Sequence, residues 1–237
     1  GSRLRERGAD LRLGVGVDEL RPTGAGGAQV VLSDGSVEPV DAVVLAGGVA
    51  SSAALLAGPA PESAAAVSRV PLATSTVVTL AYPASAFTTP VVSHGWLEAG
   101  PAPISGVTVS SAKWAGRAAD GNVLIRAFVP ERLGAIAHAK DEVLLDAVVR
   151  HVGEVLGASH GPELTRVARW QGVMPKYTVG HLARVAETEA GLAHLPAWRV
   201  AGSALRGVGV PDCVADGRRQ AGLALDLVSV GRTKVGS

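Results

Sequence analysis

The stretch "WRVAGSALRGVGVPDCVADGRRQAG" (198–222) sets a short apolar strand, a loop with glycines at 202, 207 and 209, and a proline-led helix in immediate succession. A strand delivered through glycines onto a helix N-terminus is a building unit of α/β folds. Proline is well placed in the first helical turn, where its missing N–H costs nothing, so a helix is predicted from Pro211 to about Val230. Gly207 and Gly209 can take backbone angles that other residues resist, and they leave no side chain between the backbone and a flat ligand. The unpaired N–H groups of Val210 and its neighbours add to the helix dipole, making a positive pole for a phosphate or for a ring that becomes anionic on reduction. Taken alone, the loop is explained as well or better by a plain strand-to-helix turn, with Asp212 stabilising the first helical turn.

The segment "DAVVLAGG" (41–48) is apolar on both faces, the pattern of a buried parallel strand, and Ser51 is placed to cap a short helix over "SSAALLAG". Ahead of it, 11–20 and 28–40 read as strands, the second folded at Asp34-Gly35 into a tight hairpin. Residues 55–70, rich in Ala, Pro, Ser and Gly, are predicted to be a connection between domains. Three β-branched runs follow at 75–82, 104–114 and 122–130 and suggest an antiparallel sheet. The run 140–157 spaces Val143, Leu144, Ala147, Val148, Val152 and Val155 as an amphipathic helix stopped by Gly157. A strand at 164–172 is broken by Pro175, and 179–195 is a further helix.

With 237 residues, 47% of them hydrophobic, the chain can bury a sizeable core. Its 22 basic and 21 acidic residues nearly cancel, so no overall field draws nucleic acid or an anionic membrane. The single cysteine, Cys213, excludes an internal disulfide framework and fits a reducing compartment, with the cytoplasm as the default. The six histidines (94, 138, 151, 160, 181, 194) show no paired metal-ligand spacing, and no metal is expected.

Taken together, "RWQGVMPKYTVGH" (169–181), "WRVAGSALRGVGVPDC" (198–213) and "ADGRRQA" (215–221) resemble the C-terminal half of the flavin-dependent porphyrinogen oxidases. An arginine-tryptophan pair, a proline-x-tyrosine, a glycine-histidine and a glycine-valine-glycine turn occur there in this order. "SSAKW" (110–114) and "DGSVEPVDAVVLAGGVASSAALL" (34–56) also fall where that family's patterns put them. The resemblance implies an α/β fold with an α+β substrate region: the C-terminal portion of a two-domain, FAD-dependent, amine-oxidase-like protein. Residues 1–58 and 171–237 would belong to the FAD domain and 59–170 to the substrate domain. The family's G-x-G-x-x-G βαβ unit, which cradles the FAD pyrophosphate, is not found in this sequence, so the chain is expected to be a fragment that needs an N-terminal half and is poorly soluble alone.

The resemblance assigns Ser203, Val208, Gly209 and Val210 to the flavin ring and ribityl chain, Val17 to a backbone contact with the adenine, and Trp170 to the flavin edge. It implies oxidation of a porphyrinogen to the porphyrin, with FAD as cofactor and molecular oxygen as acceptor. No catalytic dyad is expected, because the chemistry needs a ring carbon held against the flavin more than a strong side-chain base. Lys113, Arg126 and Arg206 are candidate anchors for substrate propionates, each weighed against a solvated surface role. Cys213 is expected to pack near the flavin loop. Only four lysines and abundant alanine and glycine suit a high-GC actinobacterial lineage, which favours coproporphyrinogen III over protoporphyrinogen IX as substrate. A carotenoid-desaturase-like flavoprotein and a non-catalytic module binding a porphyrin or partner chain stay open as alternatives. So does contact with a peripheral membrane surface or another haem-pathway enzyme.

Overall fold

The structure, a computed structural model, describes residues 1–24 and 26–235. Two compact units divide the chain, one formed by Gly1–Pro71 with Pro175–Ser237 and the other by Leu72–Met174. The crossings therefore lie at 71/72 and 174/175, where the sequence predicts 58/59 and 170/171.

The first unit begins with a short helix α1 (Ser2–Glu6) and a meander of β1 (Val17–Pro22), β2 (Ala28–Leu32) and β3 (Val37–Val40). The β2–β3 turn forms as predicted: Gly35 takes φ +83°, and the Asp34 carboxylate accepts the Ser36 N–H at 2.9 Å and its hydroxyl at 2.6 Å. Next come β4 (Val43–Leu45), α2 (Val49–Leu56) and α3 (Pro61–Ser68), and after the second unit α6 (His181–Gly191), β10 (Trp198–Val200) and α7 (Val210–Val235). Strand β4 pairs in parallel with β10, Val43 opposite Trp198 and Leu45 opposite Val200, as "DAVVLAGG" predicts, but it is buried on one face alone, with Val43 buried and Val44 exposed. The Trp198 indole, fully buried, donates to the Gly27 carbonyl at 3.3 Å and so ties this pair to the meander.

Two local expectations are corrected. Ser51 does not cap α2: the helix starts two residues earlier from Gly48, and the Ser51 hydroxyl donates to the Gly48 carbonyl at 3.0 Å. Residues 61–68 are a helix and not a connection. Pro61 opens it, Glu62 lies in its first turn, and a run of alanines favours helix, but the deciding factor is tertiary. Ala64, Ala66 and Val67 are buried, and the Ser63 hydroxyl donates to the Thr188 carbonyl on α6 at 2.7 Å.

The second unit is a five-stranded sheet in the order β6-β7-β8-β5-β9, comprising β5 (Leu72–Pro83), β6 (Gly95–Leu97), β7 (Gly106–Val109), β8 (Asn122–Pro130) and β9 (Leu164–Pro175). Strand β8 is antiparallel to both β5 and β7. The predicted strand at 104–114 is shorter, because Ser110–Lys113 turns into a helical piece, α4. Pro175 ends β9 and does not interrupt it. On one face Val123, Ile125, Ala127 and Val129 of β8 join Val78, Leu80 and Tyr82 of β5 under α5 (Asp141–Leu156). Helix α5 contributes Leu144, Val148 and Val152, each fully buried at four-residue spacing and worth about 1.5–3 kcal/mol of burial apiece. Val143 and Val155 of the predicted stripe are half exposed, so the contact is narrower than the sequence pattern. Gly157 stops the helix at φ +66° as predicted.

Just beyond β6, Glu98 accepts both the His151 Nε2 of α5 and the Trp96 indole N–H at 2.7 Å. These two donors, His151 first, hold the Glu98 carboxyl below the usual carboxylate range.

Candidate functional site

The loop from Ala201 to Gly209 carries β10 onto the N-terminus of α7 and is fixed from several sides by side chains of its own unit. Gly202 takes φ +98° and Gly207 φ +128°, angles that other residues rarely adopt. The Tyr177 hydroxyl donates to the Ser203 carbonyl at 2.6 Å and accepts the Gly207 N–H at 2.7 Å. The Tyr177 ring stacks on the His181 imidazole at 3.9 Å between centroids. Buried His181 reaches the Leu205 carbonyl through Nε2 at 2.8 Å, and because a carbonyl only accepts, that nitrogen carries the proton.

The loop's other flank rests on Asp216 of α7. Its carboxylate, nearly fully buried, accepts the Gly202 N–H at 3.2 Å, the Gln220 amide at 3.2 Å and the Arg206 guanidinium at 3.3 Å. Arg206 also donates to the Val200 carbonyl at 3.1 Å and pairs with Glu189. Arg206 is thus turned into the unit as a structural cation. The expectation that it anchors a substrate carboxylate is corrected, since a guanidinium committed to two acids and a carbonyl has little left for a ligand.

The glycines serve a purpose that the sequence does not reveal. A Cβ at Gly207 would lie 2.5 Å from the Asp212 Cβ, and one at Gly209 would lie 2.8 Å from the Asp212 Oδ2. Asp212 folds back beneath the loop, so the space that glycine opens is filled by the chain itself. Cys213 donates its N–H to the Gly209 carbonyl at 2.9 Å as the helix begins, and its sulfur sits 3.5 Å from the Gly207 carbonyl. It lies half-buried against the loop.

Val208 and Val210 face outward, 52% and 76% exposed. The loop's outer surface therefore offers two apolar side chains beside the N-terminal N–H groups of a 26-residue helix. That combination suits the apolar, electron-accepting edge of a flavin ring better than a pyrophosphate, for which no basic side chain turns outward on the loop.

Ser203, Val208, Gly209 and Val210 are brought together on this one loop. Val17 lies at the start of β1 in the same unit, opposite Leu32 and beside a bulge. Trp170 belongs to the second unit, on β9, and is half exposed. Sequence reasoning passed over the brace made by Tyr177 and His181. The signal was present, since the proline-x-tyrosine and glycine-histidine pairs lie within "RWQGVMPKYTVGH", but what they hold lies more than twenty residues on.

Residues 2–225 match the family model of flavin-containing amine oxidoreductases. The coproporphyrinogen III oxidase of Propionibacterium freudenreichii subsp. freudenreichii is 52% identical over 224 residues, covering 94% of this chain and 42% of that protein. The Mycobacterium tuberculosis (strain ATCC 25618 / H37Rv) coproporphyrinogen III oxidase is 38% identical over 178 residues, covering 73% of this chain and 38% of its own length. Among solved structures, one described as a protoporphyrinogen oxidase from Exiguobacterium sp. 255-15 superposes with a TM-score of 0.73 at 24% identity, over 98% of this chain and 50% of that one. A putrescine oxidase variant gives 0.67 at 16% identity, over 96% and 51%. The chain spans about two fifths of the length of these curated relatives and about half of these solved structures. The mixed helix and sheet architecture is that of the FAD-dependent amine-oxidase-like fold, as the sequence predicts, and FAD is the cofactor that goes with it. The chain belongs to the flavin-containing amine oxidoreductases.

Proposed function

We propose that this chain is part of a coproporphyrinogen III oxidase that uses FAD and molecular oxygen. The observation that carries this is the 52% identity to the Propionibacterium coproporphyrinogen III oxidase over 94% of the chain. In this proposal the first unit holds the flavin and the second the substrate. Val208 and Val210 lie against the flavin ring, while Ser203 and Gly209 contribute backbone. Val17 meets the adenine and Trp170 the flavin edge. The pyrophosphate is held by a dinucleotide-binding βαβ unit supplied outside these 237 residues.

Bound there, FAD would supply the acceptor for electrons lost by the porphyrinogen, with oxygen as the final oxidant. Six electrons and six protons leave the macrocycle in three rounds, and three molecules of oxygen become three of hydrogen peroxide. The chain's own part is positional. Tyr177, His181 and the Arg206–Asp216 pair keep the loop rigid, and its exposed valines exclude water from the face on which the ring lies. The N-terminal N–H groups of α7 favour negative charge on reduction. Such a protein is proposed to work in the cytoplasm.

The test is an anaerobic FAD titration of the full-length gene product, followed by coproporphyrinogen III or protoporphyrinogen IX in air with porphyrin fluorescence as readout. Faster turnover of coproporphyrinogen III supports the proposal. A preference for protoporphyrinogen IX corrects the substrate, and no turnover of either removes the function.

A further inference from the structure

In the second unit, the sheet face turned away from α5 carries a row across four strands: Gly95 of β6, Thr108 of β7, Arg126 of β8 and Thr79 of β5, paired directly in register. Arg126 sits on the middle strand of the five, exposed, with its guanidinium carbon 5.8 Å from the Phe128 ring centroid. The next row holds Leu97, Gly106, Phe128 and Val77, and on the other side Leu124 faces Ala81. No carboxylate belongs to any of these rows. Arg150 and Arg169 of the same unit are ion-paired with Asp146 and Asp141, whereas Arg126 has no acid within ion-pair distance among the described residues.

A cation in the centre of a sheet, flanked by two hydroxyls and surrounded by apolar side chains, matches a particular ligand chemistry. The ligand needs an apolar body to lie on the part-exposed Phe128 and Leu124 and a carboxylate to meet the guanidinium, with the Thr79 and Thr108 hydroxyls beside it to donate to the same oxygens. The other candidate cations do not offer this. Arg206 is committed inside the first unit, and the Lys113 ammonium lies 4.7 Å over the Trp114 ring on an exposed helical turn. We infer that Arg126, assisted by Thr79 and Thr108, anchors a propionate carboxylate of the tetrapyrrole substrate. This rests on the proposed porphyrinogen oxidase activity and names the residue that positions its substrate.

The experiment uses the full-length gene product loaded with FAD, as wild type, Arg126→Leu and Arg126→Lys. Coproporphyrin III and its tetramethyl ester are titrated by fluorescence, and KM and kcat for coproporphyrinogen III are measured in parallel. Removing a charge-assisted contact is expected to weaken free-acid binding by about tenfold to a hundredfold and to raise KM similarly with kcat held. Arg126→Lys should recover part of the loss, and the ester, which has no carboxylate, should bind wild type and Arg126→Leu alike. Unchanged circular dichroism would confirm that the fold is intact, and Arg126→Gln carries the same comparison if Arg126→Leu does not fold. Equal affinity of wild type and Arg126→Leu for the free acid overturns the assignment while leaving the activity standing. A wild type that neither binds coproporphyrin nor oxidises its porphyrinogen overturns both, so the two failures are read on different proteins.

Discussion

The Tyr177 hydroxyl accepts the amide N–H of Gly207 at 2.7 Å, and the same oxygen donates to Ser203 at 2.6 Å. One side chain thus closes the loop on both of its arms. Tyr177→Phe keeps the stack on His181 and removes both bonds. Since Tyr177 is 42% exposed and water replaces part of what is lost, the expected cost is about 1 kcal/mol of stability. FAD affinity should fall more visibly than the unfolding midpoint, because the loop is loosened where the flavin is proposed to lie. Parallel FAD titration and thermal melts of the full-length protein check this.

Asp216 gathers three donors at a site where its side chain is 4% exposed and that of Arg206 15%. Asp216→Ala takes away one of the arginine's two acids and the acceptor of the Gly202 N–H and the Gln220 amide, at an expected cost of about 1.5–3 kcal/mol. The double variant Arg206→Met with Asp216→Leu should recover much of that loss. Urea unfolding midpoints at constant slope decide it. A single variant as stable as the wild type would show that the pair does not hold the loop.

Glu98 gives the acid limb of stability its sign. His151 and Trp96 lower its folded carboxyl below the ordinary value of 4.5. A depressed carboxyl contributes stability that is fully present above the unfolded value and is lost as pH falls through the folded one. The expected loss therefore falls below about pH 4.5. Glu98→Gln should be less stable near neutrality and show a flatter acid limb, measured by chemical unfolding across that range.

Glycine substitutions in two helices should have opposite signs. A Cβ on Gly191 of α6 would lie 2.5 Å from the Ser63 Oγ and 2.7 Å from its backbone nitrogen, so Gly191→Ala forces α3 away and costs about 1–3 kcal/mol. Gly217 of α7 has nothing within 4 Å, and Gly217→Ala should stabilise by about 0.5–1 kcal/mol. Thermal midpoints moving in the same direction would contradict the packing described.

What the sequence disclosed was local. The Asp34-Gly35 turn, the stop at Gly157 and the doubly apolar strand at 43–45 each carry their signal within a few residues, and each formed. Helix α3 was hidden because its proline, glycine and serine neighbours look like a linker, and only packing against α6 makes burial of Ala64 and Val67 worthwhile. Arg206 looked like an available cation because its two acids lie elsewhere in the chain, at 189 and 216. The same distance concealed the brace from Tyr177 and His181. At the candidate site the glycines were legible as positions of special geometry, but that Asp212 fills the space beneath them depends on how the first turn of α7 folds back.

The parallel pairing of β4 with β10 joins Val43–Leu45 to Trp198–Val200, and all of Leu72–Met174 is synthesised between them. A growing chain on the ribosome has the five-stranded unit complete while β4 still waits for its partner. Closure of the first unit therefore waits until Trp198–Val200 has been made, and contacts so far apart in sequence form slowly. Until then β4 lacks its pairing strand, so a chain that stops between Pro175 and Trp198 has a finished five-stranded unit and an unclosed first one.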